Sequence, residues 1–268
     1  MTTARLGIMS MAQSGMELLE EILGKQFTLF EAFGIDFNLH ISVIAIPIYA
    51  FFFVGLDWSG ILFALAVIAS ILLHEVGHAI IGGLVGHQVR EICLFACGGY
   101  TRFSCPLGVE ARDALVALAG PMANGLICCL LIWIEAAIDG GNFGNGMKQV
   151  FNLAFDRDFS GEELTWRQIF IYTFALINFS MFLLNLLPAF PLDGGRIFNW
   201  IASCFLSAGN AAFMTMVLSR TIACLIVIQC VRKNLLGDFN LFNLIYMPLI
   251  AIVIWCASKE EYLCIIRG

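Results

Sequence analysis

Apolar residues come in long runs separated by short polar stretches. Phe37–Val54 is the first run, with HISVIAIPIYAFFFV at its heart, and Ile61–Val85 is the second. Ala111–Ile138, Ile169–Leu187, Ala211–Val231 and Leu241–Ala257 follow. Runs of about 20 apolar residues can cross a bilayer as helices. The pattern predicts six spans, with a further helical stretch over Ile197–Leu206. Two stretches break the helical pattern. Gln88–Phe103 alternates polar and apolar around Gly98-Gly99 and carries Arg90 and Arg102, which predicts a short β-hairpin outside the spans. Asp139–Glu163 is polar, contains Gly and Asn, and reads as a loop. The expected fold is therefore an all-α transmembrane bundle of about six helices, with a small hairpin between helices 2 and 3.

Three regions follow from this layout. Residues 1–35 form an N-terminal segment, 36–258 the membrane core and 259–268 a short tail that opens with charges. Met16–Phe33 alternates acids with Leu, Ile and Phe, which suits an amphipathic helix on the membrane surface or, equally, a loosely ordered tail. The first 15 residues lack the compact apolar core of a cleaved signal peptide.

Composition supports the membrane reading. Of 268 residues, 60% are hydrophobic and 13% charged, and the mean hydropathy is +0.89. A soluble domain carries about 25% charged residues. Net charge is −6 and no basic run offers a nucleic-acid footprint, so no nucleic-acid partner is expected. The ten cysteines include no CxxC pair and read as packing residues; Cys93, Cys97 and Cys105 lie close together in sequence. With both termini and the hairpin in the cytoplasm, eight Lys/Arg lie inside and five outside, leaving out Arg220 within the fifth span. That weakly follows the positive-inside tendency and suits a multi-pass protein of a prokaryotic cell membrane.

The chemistry centres on HEVGH, His74–His78, inside the second run. Residues four apart share a helix face, so two imidazoles can grip one zinc ion from adjacent turns. Glu75, one step round the helix, can take a proton from a water the ion acidifies. Two His and a Glu are expensive inside a span, and ionisable residues there mark function. His40 and His87 lie at segment ends and read as interfacial. A catalytic zinc takes three protein ligands. The best third candidate is Asp193 in NLLPAFPLDGGR, where Pro188 and Pro191 break the helix and Gly194-Gly195 allow tight backbone. Broken backbone at membrane depth lines a polar cavity or is buried in protein. A plain interfacial turn with Asp193 as helix cap is the alternative.

HEVGH in the second run, AGPMAN at 119–124 and NLLPAFPLDGGRI at 185–197 together resemble the site-2 protease family of intramembrane zinc metalloproteases. GIDFNLHISV, the Gly98-Gly99 hairpin and the final SKEE add to the likeness, which covers roughly residues 34–262. The resemblance implies one zinc per chain held by His74, His78 and Asp193, with Glu75 as general base and with Asn124 and Asn185 gripping substrate or oxyanion. A side-chain amide suits that grip because it both donates and accepts; helix–helix hydrogen bonding is the other use for each Asn. The implied partners are a transmembrane protein substrate, membrane lipids and a regulatory membrane protein, and the hairpin would pair with an unwound substrate strand. The PDZ or CBS modules of larger members find no counterpart sequence here, which describes a minimal core. A membrane metal-ion transporter or an inactive scaffold are the rival readings. Glu75 between the two His, and the lack of further acidic or His positions along a path, disfavour transport.

Overall fold

A computed structural model describes residues 25–96, 98–105, 107–155, 165–235 and 241–267. The chain opens with two strands, β1 (Gln26–Ala32) and β2 (Ile35–His40), joined by a turn in which Phe33 and Gly34 both have positive φ. Two central residues with φ > 0 make the tight hairpin turn that matches strand twist. The described part of the N-terminal segment is thus a strand rather than an amphipathic helix; residues 1–24 lie outside the described residues. In β2, Ile35, Phe37 and Leu39 alternate with Asp36, Asn38 and His40. That period of two turns the apolar side onto the core cluster around Ile71 and Ile92.

Because β2 takes residues 35–40, the first helix is shorter than predicted. A 3₁₀ turn (Ile41–Ile44) leads into α1 (Ala45–Phe53). Next come α2 (Trp58–Leu84), β3 (Val89–Phe95), β4 (Gly98–Phe103) and α3 (Ala111–Asp139). The expected hairpin β3–β4 is present, yet it is half of a four-stranded sheet ordered β1-β2-β3-β4. β2 and β3 pair in parallel, Asp36 with Glu91 through Leu39 with Leu94. Parallel neighbours need a crossover, and here α1 and α2 together supply it.

The predicted 139–163 loop contains a helix, α4 (Phe143–Phe155), where Met147, Val150 and Phe151 recur at helical spacing. Val150 is fully buried with Cys128, Ile132 and Tyr172. Beyond it lie α5 (Trp166–Asn185), α6 (Asp193–Ser203), α7 (Ala208–Leu235) and α8 (Leu241–Arg267). The final helix runs on through the predicted charged tail. Six of these helices, α1, α2, α3, α5, α7 and α8, fall on the six predicted runs. Among the described residues, α2, α3, α5 and α7 are each long and apolar enough to cross a membrane.

Lipid tails are as apolar as leucine, so close packing holds such helices together. Small residues permit it. A methyl on Gly77 of α2 would lie 2.8 Å from the Ala119 carbonyl oxygen and 2.9 Å from the Ala123 Cβ of α3. On α7, Ala211, Ala212, Thr215, Ser219 and Ala223 are all buried. Ala223 joins Ala189, Ala251 and Ile254 in the cluster that seats α7 and α8 beneath the 186–192 turn.

Candidate metal centre

Ten residues before its end, α2 turns His74, Glu75 and His78 inward, and all three are buried. Leu187–Leu192 folds back after α5 and presents Asp193 in the first turn of α6, where a carboxylate meets the positive end of the helix. That turn is tight. A methyl on Gly194 would lie 2.4 Å from the Leu186 carbonyl oxygen, and one on Gly195 2.5 Å from the Phe190 nitrogen. Phe190 is buried beneath it, and its N–H donates to Ser219 Oγ of α7 at 2.8 Å.

These elements bring His74, His78 and Asp193 together, with one ligand-type atom from each lying within 4.8 Å of the others. The two Nε2 atoms are 3.1 Å apart, and Asp193 Oδ2 lies 3.1 Å from His74 Nε2 and 3.4 Å from His78 Nε2. The outer nitrogens fix the tautomers. His74 Nδ1–H donates to Asn124 Oδ1 at 2.6 Å and His78 Nδ1–H to the Val116 carbonyl at 2.7 Å. Each Nε2 then faces inward as a lone pair. Two imidazole lone pairs and a carboxylate oxygen converge on one point, an arrangement that suits a cation. Ligands 2.0–2.1 Å from a tetrahedral zinc stand about 3.3 Å from one another, so the donor set and its spacing fit. Gly120 leaves the room, since a methyl there would lie 2.3 Å from His78 Nε2 and 2.7 Å from His74 Nε2.

Asn124 sits behind His74, fully buried. Its Oδ1 accepts from the imidazole, and its Nδ2 donates to the Ser70 carbonyl at 3.1 Å and to Asn178 Oδ1 at 2.8 Å. Asn178 donates in turn to Ser70 Oγ and to the Phe174 carbonyl, both at 2.9 Å. The amide expected to grip substrate therefore spends its acceptor and both donors inside the protein and orients His74. Asn185, at the end of α5, donates to the Met181 carbonyl at 3.1 Å and is half-buried. It stands outside the hydrogen-bonded set around the imidazoles.

Glu75 lies under β4. Thr101 Oγ is 2.9 Å from Glu75 Oε2 and 3.0 Å from the Glu75 carbonyl oxygen, so one hydroxyl proton serves two acceptors. A methyl on Gly99 would come within 2.6 Å of Glu75 Cγ, so the strand backbone itself forms the wall beside the carboxylate. Sequence reading missed Ser70, Thr101 and Asn178, and it held Gly120 only as part of AGPMAN, with no role of its own. Asn178 alone left a signal, as an amide within an apolar span. His40 and His87 lie away from the centre: His40 caps the 3₁₀ turn through Ser42, and His87 pairs with Asp113 at 2.9 Å. Cys97 lies outside the described residues; Cys93 is buried and Cys105 exposed.

A bundle with two buried histidines and a half-buried aspartate converging on one point defines a membrane-embedded protein built around one metal-competent centre. Comparison with known proteins takes this further. The profile of Peptidase family M50 matches residues 62–228, a stretch that contains all three candidate ligands. The chain belongs to that family, and it is an integral membrane protein. It is 30% identical over 183 residues to a zinc metalloprotease of Methanocaldococcus jannaschii, covering 65% of this chain and 45% of that protein. A Synechocystis protein named as a zinc metalloprotease is 27% identical over 148 residues, 55% of this chain and 33% of the relative. The matches thus span less than half the length of these two relatives. In architecture the chain is similar to a site-2 protease of Methanocaldococcus jannaschii, with a TM-score of 0.57 over 89% of this chain and 95% of that one at 21% identity, a likeness of fold.

Proposed function

We propose that this protein is an intramembrane zinc endopeptidase that cleaves membrane-anchored proteins within or near their transmembrane segments. The observation that carries the reading is the convergence of His74 Nε2, His78 Nε2 and Asp193 Oδ2, all within 3.4 Å of one another, directly beside a buried Glu75.

In this reading His74, His78 and Asp193 hold one zinc ion per chain. Bound there, zinc supplies Lewis acidity toward a scissile carbonyl and acidifies water. The protein's own residues do the rest. Glu75 accepts a proton from the attacking water and returns it to the leaving amine, while Thr101 holds its carboxylate in place. Asn124, backed by Asn178 and Ser70, keeps His74 in the Nδ1–H form. Asn185 is the amide left to meet an extended substrate backbone. An intact helix hides its carbonyls in i to i−4 bonds, so the substrate unwinds locally, and the hairpin β3–β4 offers it a strand to pair with. The lipids around the bundle and a regulatory membrane protein are its expected partners. The favoured setting is a prokaryotic cell membrane with the termini in the cytoplasm, consistent with the distribution of Lys and Arg.

Purified protein reconstituted with a panel of membrane-anchored substrates tests the proposal. Wild type yields new cleavage products by mass spectrometry. Glu75→Gln yields none while keeping its zinc. Equal cleavage by both proteins, or purified wild type devoid of zinc, overturns it.

A further inference from the structure

The three candidate ligands are braced in different ways. His74 and His78 ride one turn apart on α2, and each imidazole has its own support, Asn124 for one and the Val116 carbonyl for the other. Asp193 follows the 186–192 turn, which runs over α7 and α8. That turn has few means of holding its place. Pro188 and Pro191 carry no amide proton. The Ala189 N–H donates to the Leu187 carbonyl at 2.7 Å and the Leu192 N–H to the Ala189 carbonyl at 2.9 Å, both within the turn. Among the described residues, the Phe190 N–H is the one amide from 188 to 191 that donates to another element.

Its acceptor is Ser219 Oγ, in the middle of α7, at 2.8 Å. Ser219, Phe190 and Ala189 are all fully buried. Ser219 Oγ also lies 2.7 Å from the Thr215 carbonyl one turn earlier and donates its proton there. A hydroxyl has one proton and two lone pairs, so with the proton committed a lone pair faces Phe190. A serine on an apolar helix satisfies itself on its own backbone and needs no other partner; here it takes one from across the fold. Gly195, in the first turn of α6, closes on the same amide, since a methyl there would lie 2.5 Å from the Phe190 nitrogen. The Phe190 amide is thus enclosed between α6 and α7, three residues before Asp193.

We propose that Ser219 is a positioning residue for the metal centre: by holding the Phe190 amide it anchors the turn that sets the Asp193 carboxylate against His74 and His78. Without the hydroxyl, the Phe190 N–H is a buried donor with no acceptor, and the turn relieves that cost by shifting toward another partner. A shift there carries Asp193 away from the point on which the two imidazoles converge, where its Oδ2 stands 3.1 Å and 3.4 Å from their Nε2 atoms. His74 and His78 keep their own supports, so the loss falls on the third ligand. Metal binding then has to draw the turn back into place, and affinity drops by that amount. The anchor itself stands independently of the peptidase reading; its effect on zinc rests on that reading.

Two measurements on the full chain in mixed micelles separate anchor from effect. Deuterium exchange of the zinc-free protein, read on peptides covering residues 186–196, follows the anchor alone. Competition with a zinc chelator follows the ligand set. Ser219→Ala speeds exchange in the turn and lowers zinc affinity, each by about tenfold, the size of a buried donor left without its acceptor. Ser219→Thr keeps the hydroxyl and holds both within about threefold of wild type. Thr215→Val is the control. Thr215 is equally buried on α7, but its hydroxyl bonds the Ala211 carbonyl of its own helix at 2.9 Å, so its loss leaves exchange in the turn and zinc affinity unchanged. Helix content by circular dichroism verifies that each variant is folded. Unchanged exchange in Ser219→Ala, faster exchange with unchanged zinc affinity, or equal losses in Thr215→Val overturn the proposal. If wild type takes up no zinc while exchange quickens in Ser219→Ala alone, the peptidase reading falls and the anchor stands.

Discussion

Two polar clusters bridge α3 and α5, one buried and one open to water, and they are built on opposite principles. The first is Asn124 with Asn178, joined by Ser70 and ending on His74. The second is Glu135 with Arg167, joined by Asp139. The two lie eleven residues apart on each helix, about 16 Å along the bundle. In the first, Asn124 and Asn178 use donors and acceptors in full on neutral partners. In the second, Glu135 is 1% exposed, both of its carboxylate oxygens lack a hydrogen bond, and Arg167 Nη2 stands 3.2 Å from Oε1. Amides placed deep in a span fix a direction, because each lone pair and proton has one destination. Near the helix ends Asp139 accepts from Arg167 and, at 2.6 Å, from Gln168, so charge and hydrogen bonds together hold the two segments, and Asp139 opens that cluster to water. The first cluster sets geometry for chemistry; the second fastens two helices.

The comparison breaks most sharply at the metal centre. On the proposed reading His74→Ala removes a zinc ligand and uncaps Asn124, so bound zinc is expected to fall from one per chain to less than about a tenth, read by elemental mass spectrometry. Glu75→Gln removes no ligand, so zinc stays while cleavage falls by about 10² to 10⁴-fold, the range for a lost general base. Gly120→Ala follows in size. Its methyl needs the space that both imidazoles occupy, and zinc affinity should drop by at least about 100-fold with little change in helix content. If Gly120→Ala binds zinc like wild type, the tight cradle between α2 and α3 is wrong.

These residues differ in how plainly the sequence showed them. His74 and His78 were legible because four-residue spacing carries its own geometry. Asp193 was legible because two prolines and two glycines announce a bend inside an apolar region. The roles of Ser70, Thr101, Gly120 and Asn178 were not, since their meaning comes from partners on other elements: Asn178 meets Ser70 across 108 positions and Thr101 meets Glu75 across 26. Helical periodicity says which face a residue occupies, and says nothing of what stands opposite. The same limit hid β2. IDFNLH has the alternation of a strand, but the apolar run that follows absorbs it. In α4 the glycines and asparagines of NFGNGMKQVFNL masked a helix that forms because Met147 and Val150 find a core.

A finer test separates orientation from substrate grip. Asn124→Ala leaves the His74 Nδ1–H without its acceptor, and loss of such an outer partner costs about 10 to 100-fold in metal affinity. Asn178→Ala acts one step further away and costs less. Because Asn124 touches both His74 and Asn178, the double variant should fall short of the summed losses, the mark of a shared chain. Competition titration with a zinc chelator reads all three. An Asn124→Ala protein with unchanged zinc affinity but raised KM would return Asn124 to the substrate.

The smallest effect on the centre comes from the distal cluster, and it sharpens the contrast with the relay. Arg167→Met leaves Glu135 without a counter-charge and lowers stability, by less than the loss of a fully buried pair because the Arg167 side chain is 37% exposed and water screens it. Replacing both at once, Glu135→Met with Arg167→Met, removes the charge along with its partner and should recover most of that loss, as apolar replacements of whole buried pairs do. Reversible unfolding in mixed micelles measures both variants. Zinc affinity should move less than about twofold in either, because no hydrogen bond leads from Glu135 to Asn124 along the described residues of α3. A large loss of zinc in the double variant would mean that the two clusters are one network, and that the relay draws its rigidity from an ion pair 16 Å away along the helix.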